Sequence, residues 1–289
     1  MSPLDLIKAI LPSLAVMAVG LVAVWWLRRG LSAWRQRSGW EGAALALSYL
    51  VGHLAQMGWL GFPPNNAAGW MPFLAAAGVI VSITAAPGLG PAWWRWSVRV
   101  AVIAAAVPLL LFPTIAYHGW SWPVAVAWFT GLGLAWLVTL AMWEGAALQA
   151  GPGAAVTAGL ATSIGTALAL LLFGSIAYGT FGGMVAAAVG LATVMVWWRG
   201  WPMRGLMTAL GLLIPALLLL GVFMSELPVV AALLLAVTGL IPWLAGSERG
   251  RTMRPWRRVV VVAALSSLPV LPVIVWGVIS FKHALETAY

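Results

Sequence analysis

The chain has no cysteine. Disulfides, thiolate nucleophiles and cysteine-ligated metals are therefore excluded. Charge is nearly as scarce. Only 7% of the 289 residues are charged, with six carboxylates and two lysines, Lys8 and Lys282. Soluble domains carry about 25% charged residues, so water cannot be the solvent for a fold this apolar. Long polar stretches are also missing. No connection between apolar runs exceeds about 15 residues, which leaves no room for a separate soluble domain. There is no Ser-His-Asp set, phosphate-binding glycine loop, HExxH string or pair of catalytic carboxylates, which argues against a hydrolase or an ATPase. No cofactor or metal site is expected.

What remains is hydrocarbon. Hydrophobic residues make up 63% of the chain, and the mean hydropathy is +1.01. The apolar runs reach the roughly 18 residues that mark a spanning helix. In lipid every backbone polar group must be satisfied internally, and alanine-leucine runs without strict alternation mean helices rather than a barrel. The expected fold is all-α: a polytopic integral membrane helix bundle forming a single transmembrane domain over 1–289. The simplest parse has about ten transmembrane helices, at 9–27, 42–60, 70–86, 98–117, 124–143, 154–174, 183–198, 205–223, 228–244 and 259–280.

The thirteen arginines fall in short clusters at the ends of these runs: Arg28 to Arg37, Arg95 and Arg99, Arg199 and Arg204, and Arg249 to Arg258. Cytoplasmic turns collect Lys and Arg. Assigning the clusters to that side leaves the loops at 61–69 and 118–123 outside and uncharged, and both termini extracytoplasmic. The inner loop at 144–153 has Glu144 and no cation, and is the point where an error in the helix count would show. The net charge of +9 then follows from membrane insertion and does not call for a nucleic-acid partner. Most of the 20 tryptophans lie near the ends of the runs, as interfacial indoles do, whereas Trp136 lies well inside one. Asp5 and Lys8 precede the first run and arginines follow it. That order is the reverse of a signal peptide, so the run reads as a retained helix. Richness in alanine, glycine and arginine suggests a GC-rich bacterial genome and a plasma-membrane address.

The string WEGAAL occurs at Trp40–Leu45 and Trp143–Leu148, and WWR at Trp93–Arg95 and Trp197–Arg199. Pro108 and Pro215 fall at similar places in their runs. These matches suggest a tandem four-helix repeat over 42–143 and 154–244, in a composition where chance matches also arise.

Few side chains could carry chemistry. His53 lies mid-run with Tyr49 and Gln56 on the same helical face. An ionisable residue at that depth is a candidate for substrate binding or proton relay, and equally for helix-to-helix hydrogen bonding. Asn65 and Asn66, in a proline- and glycine-rich loop, and His118, beside Trp120 and Trp122, could shape an outer pocket mouth. Together with Tyr49, His53 and Gln56 they form the candidate substrate-binding set. Ser38-x-x-Glu41 fits a capping box. Glu144 is placed to pair with an arginine from another loop, or to act as a coupling carboxylate. Ala158, Thr162, Gly165, Thr166 and Ala169 form a small-residue packing stripe. The segment from Gly174 to Gly183 reads as a loose turn or a broken helix. Arg249, Arg251, Arg254, Arg257 and Arg258 are candidates for contact with anionic lipid headgroups.

Two function classes follow: a transporter or permease for a small, uncharged or weakly polar solute, and a non-catalytic subunit or scaffold of a larger membrane complex.

Overall fold

A computed structural model describes residues 3–30, 39–58, 61–85, 90–173, 175–199, 201, 203–247 and 252–287. Arg35, Arg37, Ser38, Trp59, Gly174, Arg249 and Arg251 lie outside the described residues. The described chain is helical, with no strand. The helices are α1 (Pro3–Gly30), α2 (Trp40–Met57), α3 (Met71–Thr84), α4 (Ala92–His118), α5 (Trp122–Gln149), α6 (Pro152–Leu172), α7 (Ile176–Arg199), α8 (Arg204–Met224), α9 (Val229–Thr238), α10 (Ile241–Ala245) and α11 (Pro255–Thr287).

Among the described residues seven helices are long and apolar enough to cross a membrane: those holding 10–29, 92–115, 122–149, 152–172, 176–199, 204–224 and 255–283. The other three expected segments hold α2, which carries Glu41, Tyr49 and His53, and the shorter α3 and α9–α10. An all-helical architecture with these apolar lengths is consistent with a multi-pass membrane protein.

Local chemistry explains the helix ends. Prolines open α3, α5 and α6 in their first turn, where the missing N–H costs nothing. Gly119 closes α4 in the left-handed conformation, its N–H bonding to the Ile115 carbonyl. α7 begins at Ile176, earlier than expected. Ser175 accepts the Tyr178 N–H at 3.2 Å, so Gly179, Gly182 and Gly183 lie inside a continuous helix rather than in a broken one. The reason is packing: a side chain on Gly182 would press on the α6 backbone at Ala167, 2.7 Å away. The stripe Ala158, Thr162, Gly165, Thr166 and Ala169 is fully buried, as a close-packing face should be.

α8 is the most buried of the long apolar helices and touches α2, α3, α4, α5, α6, α7 and α9. A helix apolar on every face belongs at such a centre. Pro215 sits inside it and supplies no N–H, so the Gly211 carbonyl one turn earlier loses its helical donor. Trp136 of α5 replaces that donor, its indole N–H reaching the Gly211 oxygen at 2.8 Å. One buried tryptophan thus repairs the backbone defect made by one buried proline.

The loops bring the described arginines to one end of the bundle. The end of α1, the start of α2, the start of α4, the end of α5 and the start of α8 meet there through side-chain contacts, joined by the starts of α6 and α11.

Candidate functional site

The densest polar chemistry lies at this arginine end, where the two WEGAAL strings flank the first turns of α8. Glu144, in the second-last turn of α5, is 5% exposed. Its Oε1 accepts from Arg99 Nε at 2.9 Å and Nη2 at 2.8 Å, and from Thr208 Oγ1 at 2.8 Å. Its Oε2 faces Arg204 Nη2 at 3.9 Å. Arg99 is itself buried and donates Nη1 to the Arg95 carbonyl at 2.7 Å. A buried charge demands this kind of pairing, because an isolated one would cost several kcal/mol. The expectation that Glu144 meets an arginine from another loop is met from two helices at once.

Glu41 forms the second corner. It is fully buried at the start of α2 and pairs with Arg28 from the end of α1. The guanidinium of Arg28 also lies 5.1 Å from the Trp201 ring centroid. The capping-box reading falls on Ser38, outside the described residues. The residue before the helix is Gly39, no side-chain cap bond forms, and the carboxylate is taken up by Arg28. Gly42 follows because no side chain fits: a Cβ would overlap the Gly205 carbonyl of α8 and crowd Ser82 of α3.

The two strings do not occupy equivalent places. Trp40–Leu45 opens α2, whereas Trp143–Leu148 lies in the last turns of α5. WWR likewise sits at the start of α4 and at the end of α7. Beside the second string, the Trp143 ring rests on Gly239, where the helix breaks between α9 and α10. Trp243 of α10 donates its indole N–H to the Met142 carbonyl at 2.8 Å.

The candidate substrate-binding residues are dispersed. Tyr49 and His53 are both fully buried, the hydroxyl 3.4 Å from Nδ1. The imidazole is stacked on Phe181 of α7, with centroids 4.3 Å apart and planes at 23°. Ser13 and Ser48 share a hydrogen bond of 3.1 Å in the same α1–α2 seam. Gln56 is half-buried on the same helix. Asn65 and Asn66 are exposed; Asn66 Oδ1 accepts the Gly69 N–H at 2.7 Å, which makes it a turn residue. His118 is exposed at the end of α4 and stacks on Trp120, 5.6 Å away. The three described hollows are lined by other residues.

Two of those hollows flank α4. One, of about 300 Å³, lies between α3 and α4 and includes Trp70 and Leu109. The other, of about 290 Å³, lies between α4 and α5 and includes Pro108 and Phe129. A third and larger one, of about 700 Å³, lies between the starts of α6 and α11 and the end of α7. Among the described residues no three His, Asp or Glu side chains converge as metal ligands would.

Fold and site together define a class: an apolar helix bundle, consistent with a multi-pass membrane protein, whose buried Glu41 and Glu144 are closed by arginines at one end. Compared with protein-family models, with curated proteins and with solved structures, the chain matches none of them.

Proposed function

We propose that the chain is a non-catalytic subunit or scaffold of a larger assembly in a bacterial plasma membrane. In this reading it spans the bilayer about ten times, with the arginine end cytoplasmic and both termini extracytoplasmic. The observation that carries the reading is the closure of its polar interior. His53 is stacked and fully buried, and Glu41 and Glu144 are each taken up by arginines. A solute pathway needs polar groups that water can reach, and these are sealed by packing. Purification in mild detergent, followed by mass spectrometry of co-purifying chains and small molecules, tests it. A recurring stoichiometric partner is the expected result; a chain that purifies alone and carries a solute across proteoliposomes overturns it.

Transport of a small, uncharged or weakly polar solute is the second reading, and α4 favours it. Arg99 ties that helix near its start, while hollows lie on both its flanks and Pro108 interrupts its hydrogen bonding. Such a helix can swing about a fixed end. If the solute rests on His53, His53→Ala abolishes solute-induced thermal stabilisation; in the scaffold reading no solute gives any. The tandem four-helix unit rests on the matched strings and on Pro108 and Pro215, with the differing helix positions of the strings standing against it.

A further inference from the structure

We propose that the groove at the arginine end, between the starts of α6 and α11 and the end of α7, is a binding site for one anionic phospholipid. Its volume of about 700 Å³ lies within the range of small-molecule sites. Most of its wall is apolar, including Ala154, Val196, Val259 and Val260. Its cation is Arg258, which is held at the mouth by an Nη1 bond to the Ala150 carbonyl at 3.2 Å. Trp197 and Trp256 form part of the wall and are more than half exposed. Amphipathic rings of this kind settle at headgroup depth.

The groove floor adds positive potential. Gly151, with φ of 83°, turns the chain into α6, and the first helical N–H bond belongs to Ala155. The amides of Gly153 and Ala154 therefore precede the hydrogen-bonded turns, where helices attract anions. Arg254 and Arg257 lie on the same stretch as Arg258, and Arg199 ends α7 two residues beyond Trp197. Among the described residues no carboxylate lines the groove. A cationic mouth over an apolar trough matches a molecule with a phosphate at one end and a hydrocarbon chain at the other. Inorganic phosphate would leave the trough unfilled. The phosphate falls at Arg258 and the α6 amides, and the acyl chain lies along Val196 and Val259.

This inference rests on the reading that the arginine end faces the anionic cytoplasmic leaflet, so the two are tested apart. The chain has no cysteine, so Arg254→Cys offers a single thiol for labelling from either side of the membrane. Native mass spectrometry of the full chain, titrated with phosphatidylglycerol, phosphatidylcholine or glycerol phosphate, reads the groove. The expected result is one retained phosphatidylglycerol, with weaker retention of the other two. Arg258→Gln should lower that retention about fivefold, the contribution of one interfacial cation. Val260→Trp, which narrows the trough and leaves every charge in place, should lower it as well. Arg29→Gln on α1, whose guanidinium lies over the Trp25 ring, serves as the control away from the groove. Equal retention of the two phospholipids, or retention untouched by both groove variants, overturns the site. If either variant fails to fold, the other still decides. Labelling of Arg254→Cys from the outside alone overturns the leaflet reading, whatever the lipid data show.

Discussion

The two WEGAAL strings bring the same six residues to the same central helix and solve different packing problems there. At the first, Glu41 meets one arginine whose side chain is 10% exposed, and Gly42 sits on backbone. At the second, Glu144 meets an arginine that is 2% exposed, a hydroxyl and a more distant second arginine, and Gly145 sits on the ring of Trp243. The difference shows that the string specifies a buried carboxylate beside a gap for a neighbour, while the neighbour decides how rigid that gap is. Backbone cannot yield to a new methyl group, whereas an indole ring can turn.

Substitutions can break or sharpen that contrast. The largest effect is expected from Glu144→Ala, which strands Arg99 in the interior and should cost about 3–5 kcal/mol, read by reversible unfolding in mixed micelles. Glu41→Ala should cost clearly less, since Arg28 can reach water; equal losses would erase the distinction between the corners. Next come the glycines. Gly42→Ala should cost about 2–3 kcal/mol, and Gly145→Ala about 1 kcal/mol, within the range for overpacked sites, by the same unfolding assay. A reversed order would mean that the α2–α8 contact is the softer one. Trp136→Phe should cost about 1–2 kcal/mol by orphaning the Gly211 carbonyl. That cost should shrink when Pro215→Ala restores the helical donor, and a double-mutant cycle measures the coupling. No coupling would show that the indole does not stand in for the missing N–H. The smallest change is Thr208→Val, at roughly 0.6–1 kcal/mol. It should vanish in a Glu144→Ala background, which removes the acceptor, if the hydroxyl acts through the carboxylate.

Much of the architecture was legible in the chain. The apolar runs placed the helices, because lipid permits no other way to satisfy their backbone. The Ala158–Ala169 stripe announced a close contact, because small residues have little other use at that spacing. Glu144 announced an arginine partner, because a carboxylate at a helix end in hydrocarbon cannot stay bare. Which arginines answered it was not legible: Arg99 and Arg204 come from helices whose placement depends on every turn between them. For His53 the surroundings were illegible for the same reason. Its helical face was readable, but Phe181, which covers it, is 128 residues away in sequence. The role of Trp136 required knowing that Pro215 lies across from it, a relation between two helices that neither run reveals. The break at Gly239 sits in an apolar run that reads as continuous, and it is the ring of Trp143 that excludes any larger residue there.

The uneven helix lengths bear on the surrounding lipid. α9 and α10 together run from Val229 to Leu244, about 24 Å at 1.5 Å per residue, and turn Val229, Val230, Leu233 and Leu244 outwards. Beside α9 stands α11, whose stretch between Arg258 and Lys282 has 23 residues, about 35 Å long. In a bilayer, lipids on one face of the molecule would match a shorter wall than those beside α11. A bilayer about 30 Å thick accommodates such a step by thinning locally or by tilting the longer helix, at fractions of a kcal/mol per ångström. The protein is thus expected to act as a wedge of uneven height, with its preferred orientation and neighbours set in part by the elasticity of the membrane. Reconstitution across a series of acyl-chain lengths would register this as a stability optimum in the shorter lipids. A flat profile would mean that the step is absorbed within the bundle.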